Sequence, residues 1–114
     1  VTLLGLAVTL FGYFNARRFL AMSPETRLGL RGGARSEYAE ANEIMRRSVP
    51  PEMFVDTQSL LCGAAPDCPL FTPDGGLISF DGNHLTREGA RHLGALLFAD
   101  PRLAPFAPGT GPAP

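Results

Sequence analysis

Residues 79–98 read SFDGNHLTREGARHLGALLF, and within them Asp81 and His84 stand three positions apart, directly ahead of an amphipathic stretch. A neutral imidazole takes a proton from a serine hydroxyl only when the correct ring nitrogen is free. A carboxylate on the other nitrogen fixes the tautomer, orients the ring and stabilises the imidazolium that forms. Asp and His at this spacing in one loop supply that geometry locally, and Gly82 between them permits a tight backbone path. Two fields act on His84. The N-terminus of the helix that follows disfavours an imidazolium by about 0.3–1 kcal/mol. A charge-assisted hydrogen bond to Asp81 favours it by about 1.5–3 kcal/mol, so the carboxylate prevails. The plainer reading is that Asp-Gly-Asn is a common turn and His84 a helix-entry residue. His92 sits mid-helix with no acidic neighbour at the right spacing and reads as structural. Asp56 reads as a cap or loop contact and Asp74 as a turn residue. Asp81, His84 and His92 do not have the spacing of a metal-binding set.

The elements that must position the pair follow from the flanking pattern. Residues 87–98 form a helix with Thr86 as N-cap and an apolar face of Ala90, Leu93 and Leu97, flanked by Leu96. Residues 70–80, LFTPDGGLISF, hold two apolar runs around PDGG, a hairpin signal. Further upstream, residues 35–48 form a helix with Ser36 as N-cap. Its apolar face is Tyr38, Ala41, Met45 and Val49, with Ile44 beside them, and Pro50-Pro51 ends it. VTLLGLAV at the start reads as a buried strand and MFVDT, residues 53–57, as a second. A strand, a helix crossover and a strand make a βαβ unit, hence an α/β fold with a parallel sheet. FGYFNARRFLAM is irregular or briefly helical, and SPETRLGLRGG is a loop. From Pro101 onward the Pro- and Gly-rich residues 101–114 read as a disordered tail.

Composition narrows the function classes. The chain has 114 residues, 45% apolar, enough for one small domain with a modest core. A net charge of −1 leaves no basic field for nucleic acid. The apolar run Val1–Phe14 is shorter than the roughly 20 residues of a membrane span and lacks a basic leader and a cleavage site. A chain that opens in mid-hydrophobic run is expected to be part of something longer; a buried first strand at a true terminus is the alternative. Cys62 and Cys68 flank a five-residue loop that a disulfide would close, contributing about 2 kcal/mol. That favours an oxidising compartment, with two buried free thiols as the alternative.

FDGNHLTREGARHLG resembles the last conserved block of the SGNH hydrolase superfamily: Asp-x-x-His, then Leu-Ser/Thr-x-x-Gly-Ala and a helix. Here these are Asp81, His84, Leu85, Thr86, Gly89 and Ala90. The sequence is most similar to the extracytoplasmic SGNH domain fused to bacterial membrane O-acyltransferases. VTLLG, the helix at 35–48, MFVDTQSLLC and the Cys pair follow the order of such domains, so the resemblance spans residues 1–98. It implies a C-terminal part, over residues 1–100, of a three-layer α/β/α sandwich with a parallel sheet. It implies His84 as general base and Asp81 as its orienting carboxylate. The chemistry implied is serine acyl-ester chemistry, with an acyl donor and a polysaccharide or sugar hydroxyl, or water, as acceptor. No metal or organic cofactor is implied.

The family's nucleophile lies in a Gly-Asp-Ser block and its oxyanion-hole Asn in a Gly-x-Asn-Asp block. This chain has no Gly-Asp-Ser, and none of Asn15, Asn42 or Asn83 precedes an Asp. The expected reading is a fragment whose serine lies upstream of Val1 in the same polypeptide, inactive and poorly soluble alone. A non-catalytic, degenerate module that binds glycan or protein is the alternative, and a small metal-binding domain the third.

Overall fold

A computed structural model of the chain describes residues 5–6, 17, 19, 21–33, 36–63, 67–81 and 84–109. The elements are β1 (Gly5–Leu6), α1 (Pro24–Leu28), β2 (Arg31–Gly33), α2 (Ser36–Ser48), a 3-10 turn (Pro51–Met53), β3 (Phe54–Val55), α3 (Thr57–Cys62), β4 (Asp67–Pro69), α4 (Arg87–Phe98) and a second 3-10 turn (Ala104–Phe106). β1 pairs in parallel with β3, Gly5 opposite Phe54 and Leu6 opposite Val55. α2 lies between those two strands in the chain, as a βαβ unit requires. β2 pairs antiparallel with β4. The class is therefore α/β. The described strands make one parallel and one antiparallel pair, rather than a single parallel sheet between two helical layers.

Several short elements depart from the expected loops. SPETRL folds as α1 because Ser23 caps it, its hydroxyl accepting from the Thr26 amide, and Pro24 opens it. LRGG continues into β2, where a Cβ on Gly32 would meet the end of the Leu70 side chain at 2.9 Å, so Leu70 closes over the strand at that glycine. Arg31 fastens the β2–β4 pair. Its Nε donates to Asp67 Oδ1 at 2.6 Å and its Nη2 to the carbonyls of Cys62 and Asp67 at 2.8 Å. Cys62 and Cys68 are both buried, and their sulfurs are 1.98 Å apart, at disulfide distance. Asp56 caps α3, accepting from the Ser59 amide and hydroxyl, and pairs with Arg46 of α2. Burial alone would raise the Asp56 pKa. The Ser59 and Arg46 hydrogen bonds outweigh that and hold it below the ordinary carboxylate value.

On α2 the side chains of residues 36–38 lie outside the described residues. Asn42 is the buried member of this helix, donating to Gln58 Oε1 at 2.6 Å, whereas Ile44 is exposed. The core groups Leu61, Cys62, Cys68, Ile78 and Leu93, with Leu85 and Leu97 packed against it. The PDGG segment makes the expected hairpin: Phe71 bridges Leu77, the Thr72 amide donates to the Gly76 carbonyl at 2.7 Å, and Gly75 turns at φ +87°. On α4 Leu93 is buried and Leu97 packs on the core, as expected, but Ala90 is exposed and Gly89 takes the inward place in the first turn. The cause is a close approach. A Cβ on Gly89 would lie 2.3 Å from the Ile78 carbonyl oxygen.

Within residues 101–109, a 3-10 turn (Ala104–Phe106) follows α4. Arg102 Nη1 donates to the carbonyls of Pro51 and Phe54 at 3.0 and 2.9 Å, while Nε and Nη2 hold the Asp100 carboxylate. The side-chain and backbone hydrogen bonds from Arg102 lower Asp100 from its ordinary 3.8 to about 2.

Two outcomes follow. Replacing Gly89 by Ala should destabilise the fold by about 1–3 kcal/mol through overpacking against backbone. Replacing Gly94 by Ala, where a Cβ meets nothing within 4 Å, should stabilise α4 by about 1 kcal/mol. Urea melts of the two variants check both. The depressed Asp100 pKa means its stabilising contribution is complete above pH ~4 and is lost as pH falls towards 2. Amide spectra of Ala104–Phe106 should report release of this segment in that window, and Asp100→Asn should remove the transition.

Candidate active site

Asp81 and His84 come together. The Asp81 carboxylate accepts from the His84 backbone amide on Oδ1 at 2.8 Å and from His84 Nδ1 on Oδ2 at 2.7 Å. A third donor, the Ser79 hydroxyl, reaches Oδ1 at 3.2 Å. A carboxylate only accepts, so Nδ1 carries the proton that lies between the ring and Oδ2. The neutral imidazole then presents a lone pair at Nε2. Among the described residues none hydrogen-bonds Nε2, and the side chain is 71% exposed.

The sequence explains why the loop takes this path. Ile78 is wholly buried, and its amide donates to the Leu70 carbonyl at 2.9 Å. Its carbonyl accepts from the Thr86 amide at 2.8 Å. Thr86 also caps α4, its hydroxyl accepting from the Gly89 amide and donating to the Leu77 carbonyl. Leu85 packs on the core. Ile78 and Leu85–Thr86 are thus pinned, and the stretch between them closes on the Asp81 carboxylate. Gly82 and Asn83, which the sequence places inside it, lie outside the described residues.

Magnitudes show where the rigidity comes from. An ion pair this exposed contributes about 0–1 kcal/mol, so solvent screens the balance of fields expected from sequence. The hydrogen bond from a backbone amide to a carboxylate does not need a charged imidazole and holds the loop at any ring charge. The carboxylate grips residue 84 by main chain and side chain together, which fixes the χ angles of the ring as well as the loop.

The remaining candidates fall elsewhere. His92 lines a cavity of about 620 Å³ with Thr72, Asp74, Glu88 and Arg91, which neither Asp81 nor His84 lines. Asp56 is a helix cap and Asp74 lies in the hairpin turn. Asn42 is committed to Gln58, and Asn15 and Asn83 lie outside the described residues. Of the serines, Ser23 bonds Thr26, Ser59 bonds Asp56 and Ser79 bonds Asp81; no described serine hydroxyl reaches the His84 ring. Among the described residues no three His, Cys, Asp or Glu side chains are grouped to hold a metal ion. Ser79 is the contact that sequence reasoning passed over. The available signal was its spacing of two from Asp81, which in extended chain puts side chains on one side.

An Asp-x-x-His pair with a tethered Nδ1 and an open Nε2, placed ahead of a Thr-capped helix, is a pattern that comparison can test. The model of the SGNH domain, fused to AT3 domains, matches residues 12–98, and so covers the dyad loop and all of α4. The chain belongs to this SGNH domain family. No curated protein and no solved structure matches it. Membership makes this SGNH chain a hydrolase- or acyltransferase-like domain. Among its described residues no helix is long and apolar enough to cross a membrane.

If the carboxylate sets the tautomer, ¹⁵N shifts of the neutral His84 ring in the SGNH chain should report the Nδ1–H form. Asp81→Asn should shift the ring towards the Nε2–H form without changing the His92 ring. A tautomer indifferent to Asp81→Asn would mean that the contact does not orient the imidazole.

Proposed function

We propose that the chain supplies the base and its orienting carboxylate to a serine-dependent acyl-transfer site. The observation that carries this reading is the Asp81 carboxylate holding both the amide and Nδ1 of His84, with no described residue on Nε2, in an SGNH family member. His84 Nε2 takes the proton of a serine hydroxyl as that oxygen attacks an acyl-ester carbonyl. The imidazolium, steadied by Asp81, returns the proton to the departing alcohol. The resulting acyl-serine is then attacked by water or by a sugar hydroxyl, with His84 again the base. Hydrolase and O-acyltransferase use the same acyl-enzyme and differ in the acceptor that reaches it.

The serine and the side-chain oxyanion donor belong to polypeptide outside these 114 residues, since the sequence holds no Gly-Asp-Ser and no Asn before Asp. The chain alone is then inactive, a base with nothing to activate. The acceptor is a cell-envelope polysaccharide, and the site lies on the extracytoplasmic side of a membrane-embedded parent. The family's fusion to AT3 domains supports this placement, as does the disulfide-distance pair of Cys62 and Cys68, which suits an oxidising compartment. The β1–β3 pair with α2 between them is the part of a larger parallel sheet within a three-layer α/β/α sandwich. Exposed Leu28, Ile44 and Phe80 suit surfaces that the rest of the domain covers.

The test uses a fluorophosphonate probe on the polypeptide that carries both this chain and a Gly-Asp-Ser block. The serine should label, and His84→Ala should slow labelling by about 10²–10⁴-fold, the usual worth of a general base. The 114 residues alone should not label. Labelling unchanged by His84→Ala would leave the chain as a non-catalytic glycan- or protein-binding module.

A further inference from the structure

We infer that Ser79 is a positioning residue for the dyad: its hydroxyl ties the Asp81 carboxylate to the buried floor and thereby sets the tautomer of His84. This rests on the proposed role of the dyad and adds a residue to it.

The argument begins from exposure. The His84 side chain is 71% exposed and that of Asp81 33%. A carboxylate and an imidazole this open to water do not hold one another in a single geometry by attraction alone. Ser79 is 2% exposed and follows Ile78, which is fully buried and hydrogen-bonded through both its amide, to Leu70, and its carbonyl, to Thr86. Its Oγ is therefore fixed by the core, and from there it donates to Asp81 Oδ1 at 3.2 Å.

The division of labour between the two carboxylate oxygens gives this contact its chemical meaning. Oδ1 accepts from the Ser79 hydroxyl and the His84 amide, and Oδ2 faces Nδ1. With Oδ1 held from two directions, rotation about the Cβ–Cγ bond of Asp81 is blocked. Without the hydroxyl, Oδ1 loses its tie to the buried floor, and the carboxylate turns more easily, so that Oδ2 leaves Nδ1 in a larger share of molecules. The imidazole then loses its reason to keep the proton on Nδ1, and Nε2 is protonated in a larger share of molecules. A protonated Nε2 cannot act as base. The described contact of the Ser79 hydroxyl is to Asp81, and in this scheme Ser79 acts through that carboxylate.

A plain structural role is the competing account: a buried hydroxyl needs an acceptor, and Asp81 is within reach. The two accounts differ in what the ring does. The experiment is ¹⁵N NMR of the full chain, with His84 and His92 read in the same spectra and backbone amides monitoring the fold. Ser79→Ala should raise the Nε2–H to Nδ1–H ratio of His84 by about 2- to 10-fold, the worth of one hydrogen bond. His92 should not change, and Ser79→Thr, which keeps the hydroxyl, should restore the ratio. Should Ser79→Ala lose its native amide pattern, Ser79→Cys, of similar size with a weak donor, replaces it and should give a ratio between those of Ser79→Ala and the parent. A folded Ser79→Ala or Ser79→Cys variant with an unchanged His84 ratio overturns the inference. Asp81→Asn separates the two levels. If it moves the ratio while Ser79 variants do not, the dyad stands and the role of Ser79 falls; if it moves nothing, the dyad reading itself fails.

Discussion

The main chain of Ile78 is the constraint on which the rest of the site depends. Its amide is spent on Leu70 in the hairpin, and its carbonyl on Thr86 at the mouth of α4. The same carbonyl lies where a side chain at residue 89 would have to go. The two main-chain groups of one buried residue thus fix the hairpin, the helix start and the loop between them in a common frame. A hydrogen bond to a buried carbonyl has no water to replace it, so losing either partner costs more than making the bond contributes. This makes the arrangement all-or-none, and the loop that carries Asp81 and His84 inherits the rigidity of its two ends.

What the loop gains from this frame is order without burial. A base that must meet a substrate has to stay open to solvent, and an open side chain is ordinarily free to choose rotamers. Here the ring is open and still constrained, because its partner carboxylate grips the backbone of the same residue. The imidazole is oriented from below, through main chain and buried side chains, while no described residue hydrogen-bonds its Nε2.

Elements with a long period or a strong turn signal were legible in the sequence. Helix α2, helix α4 with its Thr86 cap, and the PDGG hairpin follow from local chemistry alone. The pairing of β1 with β3 follows from chain order. The Asp81–His84 contact was legible because all its atoms lie within four residues. The strands β2 and β4 were not: three residues each, with glycines in one, they exist because Arg31, the Cys62–Cys68 pair and Leu70 bring them together across more than thirty residues of chain. Helix α3 has six residues, less than two turns, and its Asp56 cap was the only local sign. Asn42 defeats a hydrophobic-face rule because its amide finds a partner in Gln58. Gly89 defeats one because the closest approach in the helix needs the smallest residue.

The latch at Arg102 lies beyond Phe98, where the family match ends. A recombinant version trimmed at that residue would delete the guanidinium that serves the Pro51 and Phe54 carbonyls, both well inside the matched span. One of those oxygens lies in the 3-10 turn before β3 and the other in β3 itself, the partner of the parallel pair. The main chain at the start of β3 is therefore served by a residue outside the span that homology outlines.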